Sequence, residues 1–208
     1  MAILTFSEDL LAVSQVDFSL VSLTAHSPQS ALNQFSITDG PVTEFWQATM
    51  TIVPRTEANW RALRALLFRA RSGQNVFRVH DPSSASYRGA GASSPTVNIA
   101  VSAVAGDETV TLKNLTASQA ISLAADDKIG IGENLYSVMA DSGSNVSGQT
   151  SVSILPALRL GVAVDDAVNL VKPTGLFRLM SKPSVVIVPG MISQPVQLEL
   201  MEDPDVDA

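Results

Sequence analysis

The side chains that carry most enzymatic chemistry are sparse in this chain of 208 residues. Histidine occurs twice, at His26 and His80, and neither has a partner at the spacing of a metal-ligand pair. Cysteine is absent, which excludes disulfides, thiolate nucleophiles and cysteine-ligated metal sites. A serine nucleophile needs an activating base, and the Gly-x-Ser-x-Gly turn of many serine hydrolases does not occur. We therefore predict no enzymatic activity, no metal site and no cofactor.

Two adjacent acidic pairs, Asp126-Asp127 and Asp165-Asp166, are the remaining candidates for acid–base chemistry. Paired carboxylates can do such work when the fold brings them together in different environments. Each pair here follows small residues and precedes a predicted strand, which is typical of a turn. A hydrolase that uses Asp126 or Asp165 is therefore the least favoured hypothesis.

Two other stretches have the composition of ligand-binding loops without the necessary context. The segment 130–133, Gly-Ile-Gly-Glu, lies between two predicted strands, so it lacks the helix start that holds a phosphate. We predict a hairpin turn there. The acidic C-terminal stretch 202–208 lacks the ligand spacing and the glycine of a calcium loop. It is interpreted as a solvated tail.

The strongest local pattern is a helix predicted over residues 56–72. Its apolar side chains recur at helical spacing, Thr56 is a suitable N-cap, and Gly73 supplies the C-terminal stop. The predicted anchors of the core, in this helix and the strands beside it, are Trp46, Trp60, Leu63, Leu67 and Phe77. Four arginines flank the apolar stripe and are candidate partner contacts, with a plain solvated face as the alternative: Arg61, Arg64, Arg69 and Arg71.

The composition favours strands and a sizeable core. Hydrophobic residues make up 46% of the chain and charged residues 16%, and the net charge is −7. A nucleic-acid-binding protein usually carries a basic face, and in this sequence only the predicted helix is basic. The N-terminus lacks the pattern of a signal peptide and no apolar run reaches membrane-spanning length. We expect a soluble protein that is made in a cytoplasm.

The strand patterns indicate a mainly β protein in two parts. Six short strands between residues 97 and 171 predict a small barrel, and 118–125 is predicted as a short helix between the second and third of them. Residues 1–83 and 174–208 are predicted to build one β-rich domain, with 84–173 inserted as the barrel. Two consecutive domains fit the composition nearly as well. Further strands are predicted over 16–24, 32–38, 43–53, 75–80, 176–181, 185–188 and 195–201.

Several segments resemble tail proteins of long-tailed bacteriophages. One runs from Trp60 through a glycine to an aromatic strand and the Asp81-Pro82 turn. The others, 125–138, 148–159 and 172–179, resemble the inserted module and the strand that re-enters the first domain in those proteins. Each motif is weak alone, but their order and spacing are similar over roughly residues 43–200.

The resemblance implies a distal tail protein, of the kind found in siphophages and gene transfer agents. It implies a β-sandwich belt domain that forms a hexameric ring at the virion tail tip, with an inserted barrel similar to the oligonucleotide/oligosaccharide-binding (OB) fold. The implied partners are further copies of the chain, the tail tube protein, the baseplate hub protein, and the tape-measure or peripheral fibre proteins. DNA would pass through the lumen without specific binding. The alternative is a carbohydrate-binding module for host attachment, although the barrel has few aromatics, with Tyr87 and Tyr136 as its tyrosines.

Overall fold

The computed structural model describes residues 2–5, 13–23, 43–54, 56–70, 74–92, 96–181 and 195–203. In this part of the chain there are twelve β-strands and one α-helix, arranged as one open sheet and one closed barrel. The prediction of a mainly β fold with a single helix and a small barrel is confirmed.

Strands from both ends of the chain form the open sheet. Its order is β1-β4-β11-β12-β3-β2, and all neighbours are antiparallel except β1 and β4. We refer to this sheet together with helix α1 (Glu57–Ala70) as the sheet module. Its strands are β1 (Ile3–Thr5), β2 (Val13–Leu23), β3 (Thr43–Ile52), β4 (Val76–His80), β11 (Thr174–Leu179) and β12 (Val196–Glu202).

Alternation along β3 decides which face of the sheet is the core. Every second side chain of this strand is buried, as the sequence predicts. The register places apolar positions side by side, with Leu198 of β12 opposite Met50 and Phe18 of β2 opposite Ala48. The inward side chains of β3 are Trp46, Ala48, Met50 and Ile52.

Helix α1 (Glu57–Ala70) covers the apolar face of the sheet. Its N-cap is Thr56, whose hydroxyl accepts a hydrogen bond from the Asn59 amide at 3.1 Å. Leu63, Leu66 and Ala70 belong to the same buried cluster as the inward side chains of the strands. The predicted range of 56–72 extends past the described helix, because residues 71–73 lie outside the described part.

The barrel closes in the order β10-β5-β6-β9-β8-β7. Its cluster of buried aliphatic side chains is separate from the core of the sheet module. Six strands are one more than the five of the OB fold. The strands are β5 (Val97–Val101), β6 (Thr109–Lys113), β7 (Lys128–Ile131), β8 (Asn134–Val138), β9 (Thr150–Leu155) and β10 (Ala167–Asn169).

The short helix predicted over 118–125 is wrong. This segment forms turns and an isolated bridge between Leu123 and Ser142, and its amides bond to carbonyls of 142–145. Ser118 has a φ of 55°, which a right-handed helix does not allow. The predicted strands 32–38 and 185–188 lie outside the described residues.

Candidate functional site

The predicted core anchors occupy different environments. Trp46, Leu63 and Phe77 are buried in the core of the sheet module, and Leu67 is half-buried against it. Trp60 is also buried, at 9% exposure. Trp46 also contacts the barrel, and it lies at the centre of a joint between the two parts of the molecule.

We define the joint as the place where the β7–β8 hairpin of the barrel meets the sheet module. The Trp46 indole N–H donates a hydrogen bond of 2.8 Å to the Leu135 carbonyl, and Lys128 Nζ lies 4.7 Å from the indole ring centroid. Leu135 itself is fully buried in the core of the sheet module. One residue of the barrel thus completes the hydrophobic core of the other module.

Gly175 of β11 allows this close approach. A Cβ at this position would lie 3.2 Å from the Leu135 Cβ and 3.2 Å from an atom of the Phe177 ring. Such contacts are tighter than ordinary van der Waals packing, so a side chain here would require Leu135 or the Phe177 ring to shift by a few tenths of an ångström.

An ion pair between Arg159 and Glu202 spans the joint. Glu202 ends β12 and Arg159 follows β9, and the Arg159 Nη2 lies 2.9 Å from Glu202 Oε2. The Glu202 side chain is 2% exposed, and the same oxygen accepts the Trp46 amide at 3.0 Å. Among the described residues, Glu202 Oε1 and Arg159 Nε make no hydrogen bond of ordinary geometry, so this buried pair is incompletely satisfied.

Burial dominates the electrostatics of this pair. Desolvation raises the pKa of Glu202 above its ordinary value, and the hydrogen bond from the Trp46 amide and the charge of Arg159 oppose the rise. Burial also raises the pKa of the Tyr136 phenol. The Tyr136 hydroxyl accepts a hydrogen bond of 3.1 Å from the Arg159 amide, which fixes the loop that carries the guanidinium.

A second ion pair joins the hairpin turn to the sheet. Arg78 of β4 donates to both carboxylate oxygens of Glu133, at 3.0 Å from Nε and 2.5 Å from Nη2. Glu133 lies in the two-residue turn between β7 and β8, which is the hairpin turn that the sequence predicts. Both side chains are partly exposed, so this ion pair contributes little to the free energy of unfolding and mainly fixes the position of the hairpin turn against β4.

The polar members of the joint were not identified from the sequence, and Glu202, which was predicted to lie in a solvated tail, is instead buried at the end of β12. Glu202 had one usable signal, because it continues the inward series Val196, Leu198, Leu200 along β12. An acid at an inward position of an alternating strand indicates a buried charge that needs a partner. Lys128 and Arg159 carried no comparable signal.

The acidic pairs of the barrel form turns that share one geometry. In the turns 124–127 and 163–166 the second aspartate accepts a hydrogen bond from the amide three residues earlier, at 2.8 and 2.7 Å. The first aspartate of each pair has a positive φ, 69° at Asp126 and 75° at Asp165. The turn 104–107 repeats the pattern, with Gly106 at the positive-φ position. These aspartates therefore have a structural role in the barrel.

Replacing Asp127 by alanine should destabilise the barrel by about 2–3 kcal/mol. The Asp127 carboxylate is fully buried and accepts from the Ala124 amide, the Arg88 amide and the Arg88 Nε. Asp166→Ala is the control, because Asp166 makes the same turn bond from an exposed position and should cost about 1 kcal/mol or less. Urea denaturation of both variants measures the difference. Equal losses would show that burial of the carboxylate is irrelevant.

The arginines that the sequence singles out lie away from the joint. Arg61, Arg64 and Arg69 are exposed on the outer face of α1, and Arg71 lies outside the described residues. Arg61 pairs with Glu57 at 2.6 Å, and the Arg64 guanidinium lies 5.3 Å from the centroid of Phe68, which is 60% exposed. This face is basic and carries an aromatic ring.

In the described part of the molecule, no group of three or more histidine or acidic residues is placed to hold a metal ion. Across the same residues, no helix is long and apolar enough to cross a membrane. Neither the known protein-family models nor the curated proteins match this chain.

Proposed function

We propose that the chain is a structural protein of a bacteriophage tail tip, a distal tail protein that assembles into a hexameric ring between the tail tube and the baseplate hub. The observation that carries the proposal is the joint. A buried tryptophan, a buried ion pair and a shared core residue fix the barrel to the sheet module, which suits a rigid building block. The identity as a tail protein rests on the sequence resemblance.

The edges of the sheet support assembly. In the described residues, β2 pairs with β3 alone and β1 pairs with β4 alone, so these strands form the two edges. Edge strands present unpaired backbone groups that can bind another chain. A head-to-tail contact that closes after six copies would produce a ring with a pore. The expected partners remain the tail tube protein, the hub protein, and the tape-measure or fibre proteins.

The carbohydrate-binding alternative has no support from the tyrosines of the barrel. Sugar-binding barrels of this kind present exposed aromatic faces. Tyr136 is buried, and Tyr87 is half-buried against the barrel core.

The ring is tested by the mass and shape of the purified protein. Six copies of the 21.9 kDa chain should give particles of about 131 kDa by light scattering, with annular outlines in negative-stain electron micrographs. A species that stays at the monomer mass up to millimolar concentration, and also when mixed with tail tube protein, would contradict the proposal.

A further inference from the structure

The sheet module carries opposite charge on its two outer surfaces. The outer face of α1 presents Arg61, Arg64 and Arg69 beside the exposed ring of Phe68, and we call it the basic helix face. The outer face of the sheet presents exposed carboxylates at Asp17 of β2 and Glu199 of β12, and we call it the acidic sheet face. Because α1 covers the inward side of the sheet, these two surfaces point in opposite directions.

The centre of the acidic sheet face is polar, and the apolar outward residues Val21, Phe45 and Met201 lie toward its ends. Arg178 of the neighbouring strand β11 lies opposite Met201, and its charge is paired with Asp203. Asp17 and Glu199 both lie opposite Thr49 in the register, one on each side of β3. The neighbouring outward side chains on these strands are uncharged and include Gln15, Ser19, Gln47 and Gln197. No lysine or arginine lies on the outward positions of β2, β3 or β12 in their described length.

We propose that the basic helix face of one copy binds the acidic sheet face of the next copy. This inference rests on the proposed ring and names the contact that would close it. Complementary charge on two different surfaces of one module gives a head-to-tail interface, which generates a ring where the rotation between copies closes after six and an open filament where it does not. The occupant is a second copy because the same chain supplies both the arginines and the carboxylates.

The distance between the arginines on the helix is similar to the distance between the carboxylates on the sheet. Arg61 and Arg69 are eight residues apart, so they lie about 12 Å apart along the helix axis. Asp17 and Glu199 are separated by two strand spacings, which is about 10 Å. Phe68 lies between arginines on its face, and exposed aromatic and arginine side chains are the types enriched at interface centres.

The internal contacts of the basic helix face are weak enough to be exchanged. The Arg61–Glu57 pair is an exposed pair one helical turn apart, with both side chains 79% exposed. Exposed pairs of this kind contribute little to the stability of a helix. Binding of a second copy can therefore replace them at small cost.

Charge reversal on each face tests the contact. The helix variant is Arg61→Glu/Arg64→Glu/Arg69→Glu, and the sheet variant is Asp17→Arg/Glu199→Arg. Each variant alone should lose the 131 kDa species and run near the 21.9 kDa monomer mass, at about the same molar concentration at which the unmodified chain assembles. Circular dichroism and thermal unfolding should show that both variants remain folded, since all five side chains are exposed.

An equimolar mixture of the two variants gives the decisive result. In the mixture, the acidic helix of the helix variant can bind the basic sheet of the sheet variant. The unmodified basic helix of the sheet variant can bind the unmodified acidic sheet of the helix variant. Alternating copies should restore the ring. Glu108→Arg, a charge reversal at an exposed position of the barrel, should leave assembly unchanged.

The outcomes separate this contact from the ring itself. If both variants still form rings, the proposed contact is wrong and the proposed ring is unaffected. The same holds if each variant fails to assemble alone and mixing does not restore assembly. An unmodified chain that never assembles would contradict both. Assembly of the unmodified chain should also weaken as sodium chloride rises from 0.1 to 1 M, because the Debye length falls from about 10 to 3 Å.

Discussion

Replacing Arg159 by methionine should lower the free energy of unfolding by about 3–5 kcal/mol at neutral pH. The substitution leaves the carboxylate of Glu202 buried at the joint without the guanidinium, with only backbone amides, among them that of Trp46, to stabilise its charge. An uncompensated buried charge costs far more than the ion pair contributes, because solvent cannot replace the lost guanidinium.

The double variant Arg159→Met/Glu202→Gln is the control. It removes both charges and keeps a side-chain oxygen that can accept from the Trp46 amide. We expect it to regain most of the stability that Arg159→Met loses, because a neutral group carries little desolvation cost. Chemical denaturation followed by circular dichroism measures all three chains. If Arg159→Met is as stable as the unmodified chain, the Arg159–Glu202 pair is solvated in solution and the prediction is wrong.

The pH dependence of the Arg159→Met variant follows from the raised pKa of Glu202. Without Arg159 this pKa rises further, so between the ordinary value of 4.5 and the folded-state value the folded protein binds more protons than the unfolded chain. Stability contributed by this group therefore increases as the pH falls through that window. The Arg159→Met chain should recover stability from pH 7 toward pH 5, and the double variant should not. A loss of stability over this range, specific to the single variant, would contradict the assignment.

The strands and the helix could be predicted because their signal is local. Two local patterns show which side chains face a core: the alternation along β3 and β12, and the helical spacing of Leu63, Leu66 and Ala70. They do not show which elements pack against those side chains. The barrel strands were recognisable because each is a short segment between turn residues; β6 and β9 alternate, whereas β7 and β8 are buried on both faces. The predicted helix over 118–125 failed because tertiary hydrogen bonds to 142–145 decide that segment, and its composition does not report them.

The joint could not be predicted because its contacts are long-range. Trp46 and Leu135 are 89 residues apart, and Arg159 and Glu202 are 43 apart. Trp46 was correctly placed on the core face, yet nothing in its neighbourhood indicates that its indole N–H reaches a carbonyl of the other module. Local patterns identify buried positions, and the partner of a buried polar group depends on topology.

Trp46→Ala should uncouple the two modules as well as destabilise the protein, with a loss of about 3–5 kcal/mol. The variant removes a side chain that is 4% exposed and deletes the hydrogen bond to the Leu135 carbonyl. It also deprives Lys128 of the ring over which its ammonium lies, although its contacts with Asp126 and Ser137 remain. Each of these losses falls on the contact between hairpin and sheet.

Met50→Ala separates this effect from simple loss of core volume. Met50 lies on the same strand and the same face as Trp46 and is 3% exposed, and its neighbours in the register, Leu198 and Val16, belong to the sheet module. Calorimetry of the unmodified chain and of Met50→Ala should show one cooperative transition, because the joint transmits unfolding between the modules. Trp46→Ala should show two, with the barrel melting independently. One transition in Trp46→Ala, shifted as far as in Met50→Ala, would mean that the tryptophan fills the sheet core without coupling the barrel to it.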